Sequence, residues 1–512
     1  MGVFSNGGMK SEVRRLQEEI KELYASDAVP WVVGYSGGKD STAALQLVWG
    51  ALSELSNRDR RKPVHVISTD TLVENPVVAS WVNRSLERME EASQEQGLGI
   101  RSHRLTPDPR DTFWVNLIGR GYPAPRPKFR WCTERLKISP SNRFIRDVIQ
   151  ESGETILVLG VRKAESAVRA KAMDRQEQRR NRDRLSPNAA LPGSLVYTPI
   201  EDWSNDEVWL YLMQVRNPWG WDNRDLMSMY RGASEDGECP LVIDTSTPSC
   251  GSSRFGCWVC TLVDEDKSMR AMIQNDEEKA WMRPLLELRN ELGDTDDRAK
   301  RDFRRMGGFL QLYYRKSEKE GEDREAQLIH GPYKQEVRGY WLRRVLSVQR
   351  HLEETAPEGL GAIQLISLPE LEEIRRIWVL EKHEFEDRLP SLFEETTGRP
   401  YPGVPLHTGH AFGIKEIRIL RELCGEEELL FQLLRELLDT ELRFRTMTRR
   451  MGLFDALEGI IKKHFYTDAD DALKMARAAR ERKERAAQGE FVPLLVDEED
   501  DGVAPGAKGA ST

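Results

Sequence analysis

The chain has 512 residues, a net charge of −9, and 39% hydrophobic against 31% charged residues. This is a charge-rich globular composition, long enough for two or three domains. Its acidity excludes a protein that coats nucleic acid through bulk charge but leaves room for a local basic groove. No apolar run approaches the roughly 18 to 20 residues of a spanning helix. The polar first ten residues hold no signal core and Asn6 breaks the myristoylation pattern, so a cytoplasmic protein with no membrane contact is expected.

In chain order, residues 9–26 read as a charged amphipathic helix. Residues 31–35 are a short apolar strand that stops at a glycine-rich turn, and 40–55 follow with helical periodicity. A second strand is expected over 64–69 and a helix over 75–96, with Pro76 suited to its first turn. Further strands are expected over 98–105 and 155–161. The alternation predicts an α/β fold, a mainly parallel sheet with helices on both faces. Ligands then bind at the carboxyl ends of the strands, where Ser36, Asp70 and Arg162 fall. Residues 222–261, rich in Gly, Pro, Ser and Cys, read as a loop region organised by a metal. Helices are expected over 277–292, 333–354, 369–385, 413–431 and 468–488. The resulting division is an N-terminal helix (1–25), an α/β domain (26–220), a cysteine-rich metal segment (221–266), a helical region (267–490) and a disordered acidic tail (491–512).

The turn after the first strand is Ser36-Gly37-Gly38-Lys39-Asp40-Ser41-Thr42. Gly37 and Gly38 let the backbone approach a pyrophosphate and point N–H groups at it. The following helix adds its positive dipole end, Lys39 a full charge, and Ser36, Ser41 and Thr42 hydroxyl donors. The spacing departs from the Walker pattern, because Asp40 stands where Ser or Thr would be. Further along, Arg162 and Arg169 suit bidentate phosphate contact, and Glu165 is placed to orient either of them. Asp70, after the second strand, reads as a ligand for the magnesium that accompanies ATP, or else as a cap.

These residues resemble the PP-loop of the ATP-pyrophosphatase superfamily, whose members split ATP into AMP and pyrophosphate. Within it, Gly160-Val161-Arg162-Lys163-Ala164-Glu165, the run Thr198-Pro199-Ile200-Glu201-Asp202-Trp203, and Asp206-Glu207-Val208-Trp209 are similar to landmarks of the phosphoadenylyl-sulfate (PAPS) reductase branch. The resemblance covers roughly residues 25 to 220. Trp203 and Trp209 read as core.

Four of the six cysteines, Cys239, Cys250, Cys257 and Cys260, fall within 22 residues as C-x10-C-x6-C-x2-C. Four thiolates suit a [4Fe–4S] cluster or zinc. Cys132 stands apart in Trp131-Cys132-Thr133. Neighbouring Arg130, Arg135 and Lys137 are expected to lower its pKa and make it a sulfur-handling thiolate. Cys424 reads as helix core. Lys39, Asp40 and Cys132 are the candidate catalytic residues.

No cysteine follows Cys424 and no two are adjacent, which counts against sulfate reduction. The four-cysteine loop, Cys132, and the stretches Arg338-Gly339-Tyr340-Trp341 and Ile374-Arg375-Arg376-Ile377-Trp378 make the whole chain similar to the DndC family of sulfurtransferases of bacterial DNA phosphorothioation. That resemblance implies an iron–sulfur enzyme acting on double-stranded DNA. It also implies a cysteine desulfurase as sulfur donor and further proteins of the same system as partners. The basic stretches 120–130 and 162–184 are candidate phosphate contacts, or simply solvated faces. Alternatives are a sulfur-assimilation or tRNA-thiolation enzyme on the same fold, and a non-catalytic nucleotide-binding regulator with structural zinc.

Overall fold

The computed structural model describes residues 2–165, 167–180, 182–233, 255–314, 326–406, 413–445 and 447–489. They divide into two compact units, one of Met1–Lys300 with Tyr333–Gly409, the other of Arg301–Pro332 with His410–Thr512.

In the first unit the amphipathic helix α1 (Gly8–Ala25) buries Leu16, Ile20 and Leu23 and packs on α2 (Lys39–Glu54). Between them runs β1 (Trp31–Gly34). Trp31 and Val33 join the core beneath α1 and α2, while Val32 joins a second cluster with Ile145 and Val148. A strand buried on both faces needs an unbroken apolar run, which is what the sequence supplies. The chain continues through β2 (Val64–Thr69), α3 (Pro76–Glu95), β3 (Ile100–Leu105), α4 (Ser139–Ser152), β4 (Thr155–Val158), α5 (Ala167–Glu177), β5 (Ser186–Pro187), β6 (Ser194–Tyr197) and α6 (Asn205–Gln214). Asn75 caps α3 by accepting from the Val77 N–H at 3.0 Å, and Pro76 sits in its first turn as expected.

The sheet order is β3-β2-β1-β4-β6-β5, with every pairing parallel except β5 to β6. This is the α/β fold read from the sequence. The chain moves outward from β1 to β3, then re-enters at β4 on the other side of β1. That reversal opens a crevice beyond the carboxyl ends of β1 and β4. The strand expected over 155–161 stops at Val158 because Gly160 turns onto the start of α2. A Cβ there would stand 2.4 Å from the Asp40 carbonyl oxygen.

The low-periodicity reading of 222–261 misses α7 (Asn223–Gly232), which is capped by Asp222 and buries Leu226 and Tyr230. Beyond it lie α8 (Lys267–Asn275), α9 (Arg283–Leu292), α10 (Gln335–Thr355), α11 (Leu368–Arg376) and α12 (Arg388–Thr397). The helix expected over 277–292 begins as a tighter 3-10 segment, Glu277–Met282, and the one expected over 369–385 ends in wide π-type turns, Ile377–Glu381. Trp114, Trp258, Leu285, Trp341 and Ile374 share a second large core. Residues 267–300 and 333–406 therefore fold with the sheet.

The second unit contains the hairpin β7 (Leu312–Tyr314) and β8 (Ala326–Leu328) with α13 (Ile414–Cys424), α14 (Glu428–Arg445), α15 (Leu453–His464) and α16 (Ala469–Ala487). The single helix expected over 413–431 breaks at Gly425, whose φ of 57° ends α13. Cys424 is buried there, as expected. The tail 491–512 lies outside the described residues. No helix among the described residues is long and apolar enough to cross a membrane.

Candidate active site

The loop from β1 to α2 is shaped by two glycines. Gly37 has φ +74°, and a Cβ on it would stand 2.4 Å from Val82 Cγ2 of α3. Gly38 is extended and starts α2. The Ser41 and Thr42 hydroxyls donate to the Gly38 carbonyl at 3.0 and 2.9 Å, and the Ser36 N–H donates to Ser41 Oγ at 3.2 Å. Thr42 is 3% exposed and turned inward, so it braces the loop from behind.

The loop forms one wall of a cavity of about 1340 Å3 at the crevice. Ser36, Gly37, Gly38, Lys39, Asp40 and Ser41 line it, together with Asp70, Arg162 and Glu165. The structure thus brings together nearly all the residues predicted to hold nucleotide. Arg169 falls on α5, and its side chain lies outside the description. Lys39 Nζ is 3.2 Å from Asp40 Oδ2, and Arg162 Nε donates to Asp40 Oδ1 at 2.6 Å. Asp40 therefore fixes two cations at once. Arg162 is 4% exposed and also donates to the Trp203 carbonyl at 3.3 Å. It clamps the segment after β4 to the start of α2. Glu165 accepts from the Arg162 main-chain N–H at 3.1 Å. Trp203 and Trp209 are buried, as read from the sequence.

Asp70 accepts from the Leu72 N–H at 2.8 Å and from Arg104 Nε at 2.9 Å. Both oxygens are engaged, so a magnesium ion here would share the carboxylate with Arg104. The sequence reading missed Arg104, which lines the same cavity. It also missed Tyr230 of α7. The Lys39 main-chain N–H donates to Tyr230 Oη at 3.4 Å, and Lys39 Nζ lies 5.5 Å from the ring centroid. Burial raises the Tyr230 pKa, which keeps it a neutral phenol. Phe255 meets the Tyr230 ring edge-on at 4.7 Å, and both line the cavity. Only the amphipathic spacing of α7 could have signalled Tyr230.

Cys132 precedes the wide π-type turn Thr133–Ile138. Contrary to expectation its thiol pKa is raised, by burial first, with Thr133 and Lys137 opposing and Cys260 adding to the rise. The expected cations are engaged elsewhere. Arg135 pairs with Asp111 at 2.5 Å, Lys137 lies 3.6 Å from Glu74, and Arg130 Nε donates to the Pro127 carbonyl at 3.2 Å.

The C-x2-C turn is docked on the cavity wall. The Trp258 N–H donates to the Val73 carbonyl at 2.9 Å, and Cys257 Sγ lies 3.3 Å from Thr71 Oγ1 and 3.7 Å from Glu74 Oε1. Burial, with Glu74 adding, pushes the Cys257 thiol up to about 12. The Cys260 N–H donates to the Cys257 carbonyl at 3.0 Å. Behind the turn, Arg289, 1% exposed, donates to the carbonyls of Cys260 (3.0 Å), Asp264 (2.8 Å) and Val263. Glu74 and Lys137 line the cavity as well, so the Cys257 thiol stands behind the cavity wall at Glu74. Cys239 and Cys250 lie outside the described residues. Among the described residues no three His, Cys, Asp or Glu side chains converge as metal ligands. The C-x2-C half nonetheless has the donor chemistry of a thiolate-held centre.

Residues 30–220 match the family model of the phosphoadenosine phosphosulfate reductase domain. This part of the chain is similar to that domain. An uncharacterized protein of Methanocaldococcus jannaschii is 29% identical over 200 residues, 39% of this chain, and the match spans 35% of that relative's length. Among solved structures, U34-tRNA thiolase NcsA from Methanococcus maripaludis with its [4Fe-4S] cluster is 12% identical, with a TM-score of 0.25 over 56% of this chain and 81% of that one. Candida glabrata FMN adenylyltransferase in complex with FAD and inorganic pyrophosphate is also 12% identical, with a TM-score of 0.26 over 44% and 62%. The matched stretch ends before α7, so Tyr230 and Phe255 reach the cavity from outside it.

Proposed function

We propose that the chain is an ATP-pyrophosphatase-type sulfurtransferase that replaces a non-bridging oxygen of a DNA backbone phosphate with sulfur. The observation that carries this reading is the contact of the Cys257 thiol with Thr71 and Glu74, the latter lining the same cavity as the phosphate loop. A phosphate oxygen is a poor leaving group. Attack of that oxygen on the α-phosphorus of ATP makes it part of AMP, and pyrophosphate departs. Lys39 and the N–H groups of the loop hold the developing charge on the pyrophosphate, with Asp40 and Arg162 fixing Lys39 and the loop. Asp70 is the proposed magnesium contact. A sulfur nucleophile brought to the Cys132 side of the cavity then attacks the DNA phosphorus, and AMP leaves with the oxygen. Cys239, Cys250, Cys257 and Cys260 are the proposed ligands that would hold a [4Fe–4S] cluster. A cysteine desulfurase and further proteins of the modification system are the proposed partners.

Replacing Lys39 with Ala is expected to lower sulfur-modified DNA in cells by at least about a hundredfold, read by mass spectrometry of digested DNA. Undiminished modification would sink the reading. Sulfur found in tRNA and absent from DNA would move the same chemistry to another substrate.

A further inference from the structure

Residues 120–137 run as one segment from solvent to the cavity wall. Their outer end is a tight hairpin in which Arg126 and Phe129 exchange main-chain hydrogen bonds at 2.8 and 3.3 Å. Arg126 pairs with buried Asp297 at 2.7 Å, which anchors the base of the hairpin. Pro123, Pro125 and Pro127 restrict its backbone. The Trp131 indole N–H donates to the Pro123 carbonyl at 3.0 Å, and Thr261, just after the C-x2-C turn, donates to the Pro125 carbonyl at 2.6 Å. Phe129 meets Tyr122 at 6.0 Å, Tyr122 meets Trp131 at 5.7 Å, and Trp131 stacks on Phe113 at 5.3 Å. The tip is therefore rigid.

Its exposed face is cationic and aromatic. Lys128, Phe129 and Arg130 are all exposed, Phe129 by 40%. No carboxylate residue occurs between Asp111 and Glu134 in a chain of net charge −9. Neither Lys128 nor Arg130 is paired with a carboxylate among the described residues. A partly exposed aromatic side chain flanked by two cations without carboxylate partners, on a backbone that needs no further ordering, suits a polyanion with stackable faces.

We propose that this tip grips duplex DNA, with Lys128 and Arg130 on neighbouring backbone phosphates and Phe129 as an apolar wedge at a base step. The proposal rests on DNA being the substrate and names the element that holds it. Arg130 and Lys137 are separated by wide helical turns, whose rise per residue stays below the α-helical value of roughly 1.5 Å, so their separation along the axis is at most about 10 Å. The tip thus delivers the strand beside Cys132 and the nucleotide cavity.

The test is duplex binding by fluorescence anisotropy across a salt series. The double variant Lys128→Glu/Arg130→Glu is expected to bind at least about tenfold more weakly, and its salt slope to shrink by about 1.8, two phosphates' worth. Phe129→Ala is expected to weaken binding about fivefold with the salt slope unchanged, as for a lost stacking contact. Thermal melting, read alongside, identifies a misfolded variant, and Lys128→Gln/Arg130→Gln then takes its place. A wild-type chain that does not bind duplex, a double variant that binds as the wild type does, or a structured RNA that displaces the duplex at lower concentration overturns the proposal. Phosphorothioate content of cellular DNA is scored separately. Modified DNA with unaltered variants sinks the tip alone, and tip-dependent binding without modified DNA sinks the proposed reaction alone.

Discussion

Asp40 shows how one side chain sets the character of the loop. In the Walker arrangement a hydroxyl at this place faces magnesium. Here a carboxylate sits between Lys39 at 3.2 Å and Arg162 at 2.6 Å, so the position organises the two cations. The loop's residue types were legible from the sequence because consecutive glycines, a lysine and hydroxyls between strand and helix have few other uses. The partner of Asp40 was not, because Arg162 is brought to it from 122 residues away. Gly37 is the stricter requirement, since it needs both the left-handed conformation and the space taken by Val82. Gly37→Ala is expected to destabilise the chain by about 1 to 2 kcal/mol and to slow pyrophosphate release from ATP by about a hundredfold. Chemical denaturation and a coupled pyrophosphate assay measure the two effects. Near wild-type turnover would show that the left-handed loop is dispensable.

At the scale of elements, the first four strands and their order followed from apolar runs and turns, while the short β5 to β8 did not. The C-x2-C spacing was legible in the sequence, but its place in the fold was not. That place is set by α9, whose Arg289 donates to three carbonyls of 260–264, and by a main-chain bond to Val73. Neither carries a sequence signal, since carbonyls belong to every residue. Arg289→Lys keeps the charge but loses the planar fork. It is expected to lower stability by about 2 to 3 kcal/mol and to cut the iron bound per chain at least about twofold. Denaturation and iron analysis of anaerobically purified protein test this, and full iron loading would show that the turn holds its shape without the fork. The expectation of a lowered Cys132 pKa failed for a related reason. A list of nearby cations says nothing of the carboxylates that claim them, or of burial.

For the molecule as a whole, the sequence boundary near residue 266 marks a change of pattern and not a change of unit, since 267–300 and 333–406 complete the unit that holds the sheet. Helices that interrupt a sheet domain and return to it leave no local signal. Global stability also depends on groups remote from the site. His65 Nδ1 and His103 Nε2 are 3.0 Å apart on β2 and β3, beside Phe144. Burial, then His103 and Arg101, lower the His65 pKa from 6.5 to about 4, and burial lowers that of His103 despite Glu90. Between pH 6.5 and 4 the unfolded chain therefore binds more protons than the folded one, so stability falls as pH falls through that window. After allowance for partial solvent exposure the loss from His65 is about 1 to 2 kcal/mol. Urea unfolding at pH 7 and pH 4.5 should show it, and His65→Gln should flatten the slope. An unchanged slope would refute the assignment.

Tyr230 and Phe255 flank the stretch that carries Cys239 and Cys250, and both end at the nucleotide cavity, one against the Lys39 N–H. Thermodynamic linkage follows from that arrangement. To the extent that filling the cysteines favours one position of the Tyr230 ring, it changes the affinity for ATP by some factor, and ATP changes the affinity at the cysteines by the same factor. On the proposed function, that single factor would tie the filling of the nucleotide site to the filling of the cysteine site.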